Sequence, residues 1–212
     1  MKKFATILAA SFLLIVNTVS AEMAVGVTAN FASIETDGTE TLRSSANKTT
    51  ASSDVEETLP EVFVEIVGDR GALGVAYIPV QELGNKSRTD SNSEGDSGTY
   101  TAKAELDSHI QVYANLNLAD VGPAKAYIVG GIARATIVTD ESLNSGSTYQ
   151  DKDVYGYTVG LGVRGDLPSN TFYKLEYTYS DYEAYSDESS ASNKIDAETE
   201  VYSMKASIGY QF

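Results

Sequence analysis

His109 is the one histidine in a chain that has no cysteine. Asp107 stands two residues before it. In an extended segment that spacing places both on one face, where a carboxylate could orient an imidazole as it does in a catalytic triad. One histidine and no cysteine do not make a zinc site. Lys103 and Glu105 continue the same alternating positions. Charged residues recur at every second place in other segments too: Glu61 and Glu65, Arg134, Arg164, Lys174 and Glu176, and Lys205. Five acids (Glu61, Glu65, Glu105, Asp107, Glu176) meet five bases (Lys103, Arg134, Arg164, Lys174, Lys205). Near-balanced charge suits an enclosed space where each ion needs a partner. The reading adopted is an interior ion-pair network, with His109 as a polar filler. No catalytic residue, metal or cofactor is expected.

The segments that carry these residues are strands. From Tyr100 to Leu118 one set reads Tyr100, Ala102, Ala104, Leu106, Ser108, Ile110, Val112, Ala114, Leu116, Leu118, and the residues between are mostly polar. That period of two marks a strand with two unlike faces. Seven further strands follow the same rule: 22–33, 60–68, 72–78, 125–138, 153–167, 171–180 and 201–212. In the fifth, Tyr127, Val129, Ala133, Ala135 and Ile137 form the apolar face against Gly130, Arg134 and Thr136. Counting from a turn centred near Val121 then places Arg134 opposite Ser108, so Asp107 or Glu105 is its expected partner. The connections alternate between long polar stretches (34–59, 80–98, 139–152, 181–200) and tight turns at 68–71, 120–124 and 168–170. The spacing predicts an all-β, eight-stranded antiparallel up-and-down barrel, with the long connections as loops.

Alternation alone fits a soluble lipocalin-like barrel as well as a transmembrane one. Two features favour the membrane. The polar faces carry the balanced charges, and aromatic residues cluster at the ends of the apolar faces. Tyr127, Tyr173, Tyr210 and Phe212 lie at one rim; Phe31, Tyr77, Tyr100, Tyr155, Tyr157, Tyr179 and Tyr202 lie toward the other. Paired aromatic girdles belong to membrane barrels. Leu106, Val112, Val129, Leu161 and Leu175 are then expected to face lipid.

At the amino end, Lys2 and Lys3 precede an apolar run from Phe4 to Val16 and the small residues of Val19-Ser20-Ala21. This is the pattern of a secretory signal peptide, 1–21, cut between Ala21 and Glu22, with 22–212 as the barrel. The formal charge of −15 argues against nucleic acid as a partner. The acid excess sits in the four long connections. The stretch Asp90-x-Asn92-x-Glu94-Gly95-Asp96 lacks the full spacing and terminal Glu of a calcium loop.

The signal peptide, the eight-strand meander and the terminal Gly209-Tyr210-Gln211-Phe212 together resemble the small eight-stranded bacterial outer-membrane barrels: the transmembrane domain of outer-membrane protein A and the opacity proteins. The resemblance implies residence in the outer membrane of a Gram-negative bacterium, contact with outer-membrane lipid and lipopolysaccharide, and a monomer. It also implies that Tyr210 and Phe212 form a signal read by the barrel-assembly machinery. The function expected is a structural or surface-interaction role with a plugged interior. A narrow pore, a lipid-modifying barrel enzyme and a soluble lipocalin-like binder remain alternatives.

Overall fold

The computed structural model describes residues 21–41, 46, 48–90, 98–141, 150–188 and 194–212. The signal-peptide expectation for 1–20 and most of the calcium-like stretch lie outside the described residues. The elements are β1 (Glu22–Thr41), β2 (Lys48–Gly68), β3 (Gly71–Ile78), β4 (Gln81–Asp90), β5 (Gly98–Val121), β6 (Ala124–Glu141), β7 (Lys152–Asp166), β8 (Thr171–Glu188) and β9 (Lys194–Gln211). All pairings are antiparallel. The order runs β3-β2-β1-β9-β8-β7-β6-β5-β4, and β3 also pairs with β5. The sheet therefore closes on itself. β3 and β4 are the lower and upper parts of one stave, both paired with β5 and separated at Pro79, whose missing N–H interrupts the ladder. The barrel has eight staves in up-and-down order. The first and last strands are zipped from Ala24↔Gln211 to Thr41↔Lys194.

The tight turns fall at 69–70, 122–123 and 167–170. Gly122 sits at φ 61° before Pro123, where a residue without Cβ adopts the left-handed conformation freely.

The long connections expected as loops are largely strand. β1 and β2 stay paired out to Thr41↔Lys48, β8 runs to Glu188, and β4 occupies much of 80–98. A spanning strand needs only ~9–11 residues, so the 20 residues of β1 carry the hairpin well beyond a bilayer. There neither face is buried in lipid or core, and no alternation of polarity is required. Polar cross-strand bonds hold these stems instead: Ser33 donates to Asp54 at 3.2 Å and Ser52 to Asp37 at 2.6 Å. Alternation signals a strand with unlike surroundings, and a strand wet on both sides escapes it.

Along the lower barrel, the exposed face carries Met23, Val25, Val27, Val62, Val64, Ile66, Val75, Ile110, Leu116, Ile128, Ile132, Val159, Leu161, Leu175, Met204 and Ile208. This belt of exposed apolar side chains around a closed sheet is the lipid-facing surface of a membrane barrel. Phe31, Tyr77, Tyr155, Tyr210 and Phe212 lie on the same exposed face, and Tyr173, Tyr157, Tyr179 and Tyr202 are half-exposed on it. The Tyr100 side chain lies outside the described residues.

The faces of β6 and of the upper part of β5 reverse. In β6 the buried set is Tyr127, Val129, Gly131, Ala133 and Ala135, while Ile128, Ile132 and Arg134 face out. Tyr127 is thus an interior ring, not a girdle residue, and Val129 does not face lipid. In β5 a bulge falls between Leu106 and Ser108. An extra residue switches every side chain beyond it to the other face. Below the bulge the expected faces hold; at Leu106 they invert, and this side chain is only 5% exposed, inside the barrel.

Candidate functional site: the barrel interior and its lower mouth

The inward positions stack in layers. In the lower layer Glu65, on β2, is fully buried. Its Oε1 accepts from Lys174 Nζ at 2.6 Å and from the Tyr113 hydroxyl at 2.8 Å. Its Oε2 accepts from Arg164 Nη1 at 3.1 Å. Arg164 Nη2 also donates to Gln211 Oε1 at 2.5 Å. Both bases lie on aromatic faces: Arg164 Cζ is 3.6 Å from the Phe172 ring centre, and Lys174 Nζ is 3.9 Å from that of Phe63. Aromatic faces attract cations, most strongly where water is scarce. One carboxylate between two bases, with hydrogen bonds to its oxygens, is the arrangement that offsets the desolvation of buried charge.

These rings fit because glycines lie beside them. A Cβ at Gly26 would stand 2.3 Å from the Phe63 ring, and one at Gly209 2.3 Å from that of Phe172. Gly74 and Gly162 give the same space to Tyr113 and Tyr127.

The next layer up pairs Lys205 Nζ with Glu61 Oε2 at 2.8 Å. Glu176 is half-buried and pairs across strands with Lys205. His109 Nε2 shares a hydrogen bond of 2.8 Å with the Tyr182 hydroxyl. Hydroxyl pairs Thr28–Ser207 and Thr158–Ser180, each 2.8 Å, fill the wall. Above them the interior turns apolar: Ala32, Leu59, Ile78, Leu106, Ala135 and Val154 form one cluster, with Ile34, Ile137, Tyr182 and Val201 against it.

The structure therefore brings Glu65, Arg164 and Lys174 together, and Lys205 with Glu61. Arg134 does not join them. It lies on the outer surface, its guanidinium 2.6 Å from Asp153 across the β6–β7 pair, and its β5 neighbour is Ile110 rather than Ser108. The two-residue turn at 122–123 and a second bulge near Leu118 shift the register from the equal-step count. Asp107 sits at the bulge, exposed on the outside, so it cannot orient His109. Glu105, next to inward-facing Leu106, is half-exposed on the other face. The Lys103 side chain lies outside the described residues. Tyr210 and Phe212 project outward with ring centres 6.1 Å apart. Ala21 and Glu22 are exposed at the short-turn end, where Glu22 opens β1.

Sequence reasoning missed the apolar upper layer. Leu59 lay in a stretch expected as loop, and Leu106 lay beyond the bulge. It also missed Tyr182, two residues past the expected strand end.

The closed eight-stave meander and its belt of exposed apolar side chains are those of a small outer-membrane β-barrel of a Gram-negative bacterium. No family model matches the chain. Its sequence is similar to the 25 kDa outer-membrane immunogenic protein of Brucella ovis, 30% identical over 93 residues, covering 44% of this chain and 38% of that protein. The Brucella canis protein of the same description is 29% identical over 96 residues, 44% of this chain and 41% of that one. The matched segments span about two fifths of those relatives. Among solved structures, Neisserial surface protein A aligns over 90% of this chain and 97% of its own, at 11% identity and a TM-score of 0.46. The outer-membrane protease OmpT of Escherichia coli aligns over 92% and 99%, at 11% identity and 0.45.

Proposed function

We propose that this barrel is non-enzymatic and closed to solutes, and that it serves the outer membrane as a structural and surface-interacting element. The observation that carries the reading is the stacking of two ion-paired layers beneath an apolar one across the interior. An eight-stranded barrel has room for little more than its own side chains. A solute crossing it would have to part Glu65 from two bases and then enter the apolar layer. His109 is buried and bonded to a tyrosine, and the acid that could have activated it points away, so the inner wall supports no acyl-transfer or lipid-cleaving chemistry. The surface role falls to the stems beyond the lipid belt. There Asp54↔Glu35, Glu35↔Glu200 and Asp181↔Glu200 stand in register across four neighbouring strands. Like charges opposite one another are destabilising, so this face favours cation-bridged contact with lipopolysaccharide. Tyr210 and Phe212 offer the barrel-assembly machinery an exposed aromatic pair at the chain end. The test is planar-bilayer recording of the refolded chain. The expected result is a quiet membrane; discrete, reproducible steps would establish the narrow pore instead.

A further inference from the structure

The outward wall changes chemistry in steps along four neighbouring strands, β2, β1, β9 and β8. Pro60, Ala29, Ala206 and Leu175 form one exposed apolar row of the lipid belt. The next row up is Thr58, Phe31, Met204 and Tyr177. Above it stand Glu56, Ser33, Tyr202 and Tyr179, and above those Asp54, Glu35, Glu200 and Asp181. Every second residue of a strand shares a face, so successive rows are about 7 Å apart along the strands. From the belt upward the wall is apolar, then hydroxyl-bearing, then acidic.

The wall is hollowed where the apolar and hydroxyl rows meet. A groove of about 470 Å³ is lined there by Phe31, Ser33, Thr58, Tyr177, Tyr202 and Met204, with Glu56 in its upper row. Ser33 and Thr58 are short where their neighbours are long, which leaves the depression. In the usual orientation of such barrels short turns face the periplasm, so the groove lies at the outer-leaflet end of the belt. Its lower side meets acyl chains and its upper side meets head groups.

The charge above the groove decides which head group fits. Ser33 donates to Asp54 and the Tyr202 hydroxyl to Glu200, each at 3.2 Å. Ion pairs among the described residues go to Glu61, Glu65 and Asp153, not to this row. Nor do three acidic or histidine side chains converge to hold a metal among the described residues, whereas hard cations take several oxygen ligands at once. The complement to this wall is a molecule that is apolar below and cationic above.

We propose that the groove seats one outer-leaflet lipid whose head group ends in a primary ammonium, as in an ethanolamine phospholipid. The acyl chain lies along Phe31, Met204 and Tyr177. The ammonium, with three N–H donors and no acceptor, meets Glu35 and Glu200 in charge-assisted hydrogen bonds, which are stronger than neutral ones. The inference rests on the surface role proposed above and goes further: at this place the bridging cation is the lipid's own.

The chain has no tryptophan, so Tyr177→Trp reports on the groove and Ile128→Trp, on β6, serves as the control. Each full barrel is refolded into phosphatidylglycerol vesicles containing a minority of phosphatidylethanolamine or phosphatidylcholine, brominated near the head end of the acyl chain. The two probes carry the same net charge, but choline has no N–H, so diffuse attraction does not separate them. At position 177 the ethanolamine lipid should reach half-quenching at a several-fold lower mole fraction than the choline lipid; at 128 the two should match. In the reporter background, Glu35→Gln with Glu200→Gln should abolish the difference. Thr58→Tyr, which fills the groove and keeps every carboxylate, should abolish it too. Each variant is first shown to migrate as a folded barrel on an unheated gel. Equal quenching by the two lipids at 177, the same preference at 128, or a preference that survives either variant would overturn the site. So would a preference lost on chelating divalent ions, which would return this face to metal-bridged contact. The surface role itself fails separately, if the parent barrel shows no magnesium-dependent binding of lipopolysaccharide.

Discussion

Arg134 Nη2 and Asp153 Oδ2 lie 2.6 Å apart on the outside of the barrel, across the β6–β7 ladder, and Thr136 donates to the other carboxylate oxygen at 2.8 Å. The pair stands at the edge of the lipid belt, where Arg134 lies in register between Ile110 and the girdle residue Tyr155, both exposed. Exposed ion pairs gain little because water solvates both partners almost as well. Arg134→Ala is therefore expected to leave the urea midpoint in lipid vesicles close to that of the parent. A large loss would show that this pair carries stability its exposure does not explain.

Glu65 should behave in the opposite way. Removing it leaves Lys174 and Arg164 buried without their shared carboxylate, and breaking one partner of a buried pair typically costs about 3–5 kcal/mol. Glu65→Ala should lower the unfolding free energy by that order. Lys174→Met, which leaves Arg164 paired with Glu65, should cost less. A Glu65→Ala barrel as stable as the parent would mean that the interior is wet enough to solvate both bases.

The contrast between Arg134 and Glu65 shows where the sequence could be read and where it could not. Strands with unlike surroundings wrote their faces plainly: Thr158 against Val159, Lys174 against Leu175, Lys205 against Met204. In β6 both faces are mostly small or apolar, because the interior beside it is filled by Tyr127 and by rings from other strands. Arg134 and Thr136 were its polar markers, and they marked the wrong side because both bond Asp153 on the outer surface. The bulge at Asp107 left no trace in residue type. Glu65 was placed inward by alternation, but its partners Arg164 and Lys174 come from strands about a hundred residues away, and only the register of the closed sheet brings them together.

Phe212 is hydrogen-bonded through its backbone to Met23, in both directions, at 2.9 and 3.1 Å. Its ring is exposed beside Tyr210. Contact with lipid contributes only ~1.5–3 kcal/mol for such a side chain. Phe212→Ala should therefore alter the unfolding midpoint of folded barrel modestly, yet reduce the amount assembled in the outer membrane of living cells markedly. Normal cellular levels of the variant would remove the assembly-signal reading.

The stems should loosen in acid. The hydrogen bond from Arg134, followed by that from Thr136, holds the Asp153 carboxyl below the usual carboxylate range. The backbone N–H of Gln150, 3.1 Å from Asp187 Oδ2, is the main cause of the same downward displacement at Asp187. A carboxyl depressed in the folded state stabilises it above the ordinary pKa, near ~4, and loses that contribution as pH falls through the lower folded value. Hydrogen-exchange protection at 150–154, corrected for intrinsic rates, should be constant from neutral pH down to roughly 5 and then decline. Asp187→Asn should flatten much of that decline; an unchanged profile in the variant would assign the acid sensitivity elsewhere.

The reversed faces of β6 can be tested with two adjacent residues. The chain has no tryptophan, so a single introduced indole reports alone. Ile128 is 45% exposed on the lipid belt and pairs with Leu161, while Tyr127 is 2% exposed and packs over Gly162 inside. Successive side chains of a strand point to opposite faces. In vesicles made with brominated lipid, Ile128→Trp should be strongly quenched and Tyr127→Trp should not. Arginine at Ile128 should in turn cost about 2–4 kcal/mol if the site lies near the bilayer midplane. Strong quenching at position 127 with little at 128 would restore the face assignment that alternation first suggested, and would move Arg134 back into the barrel.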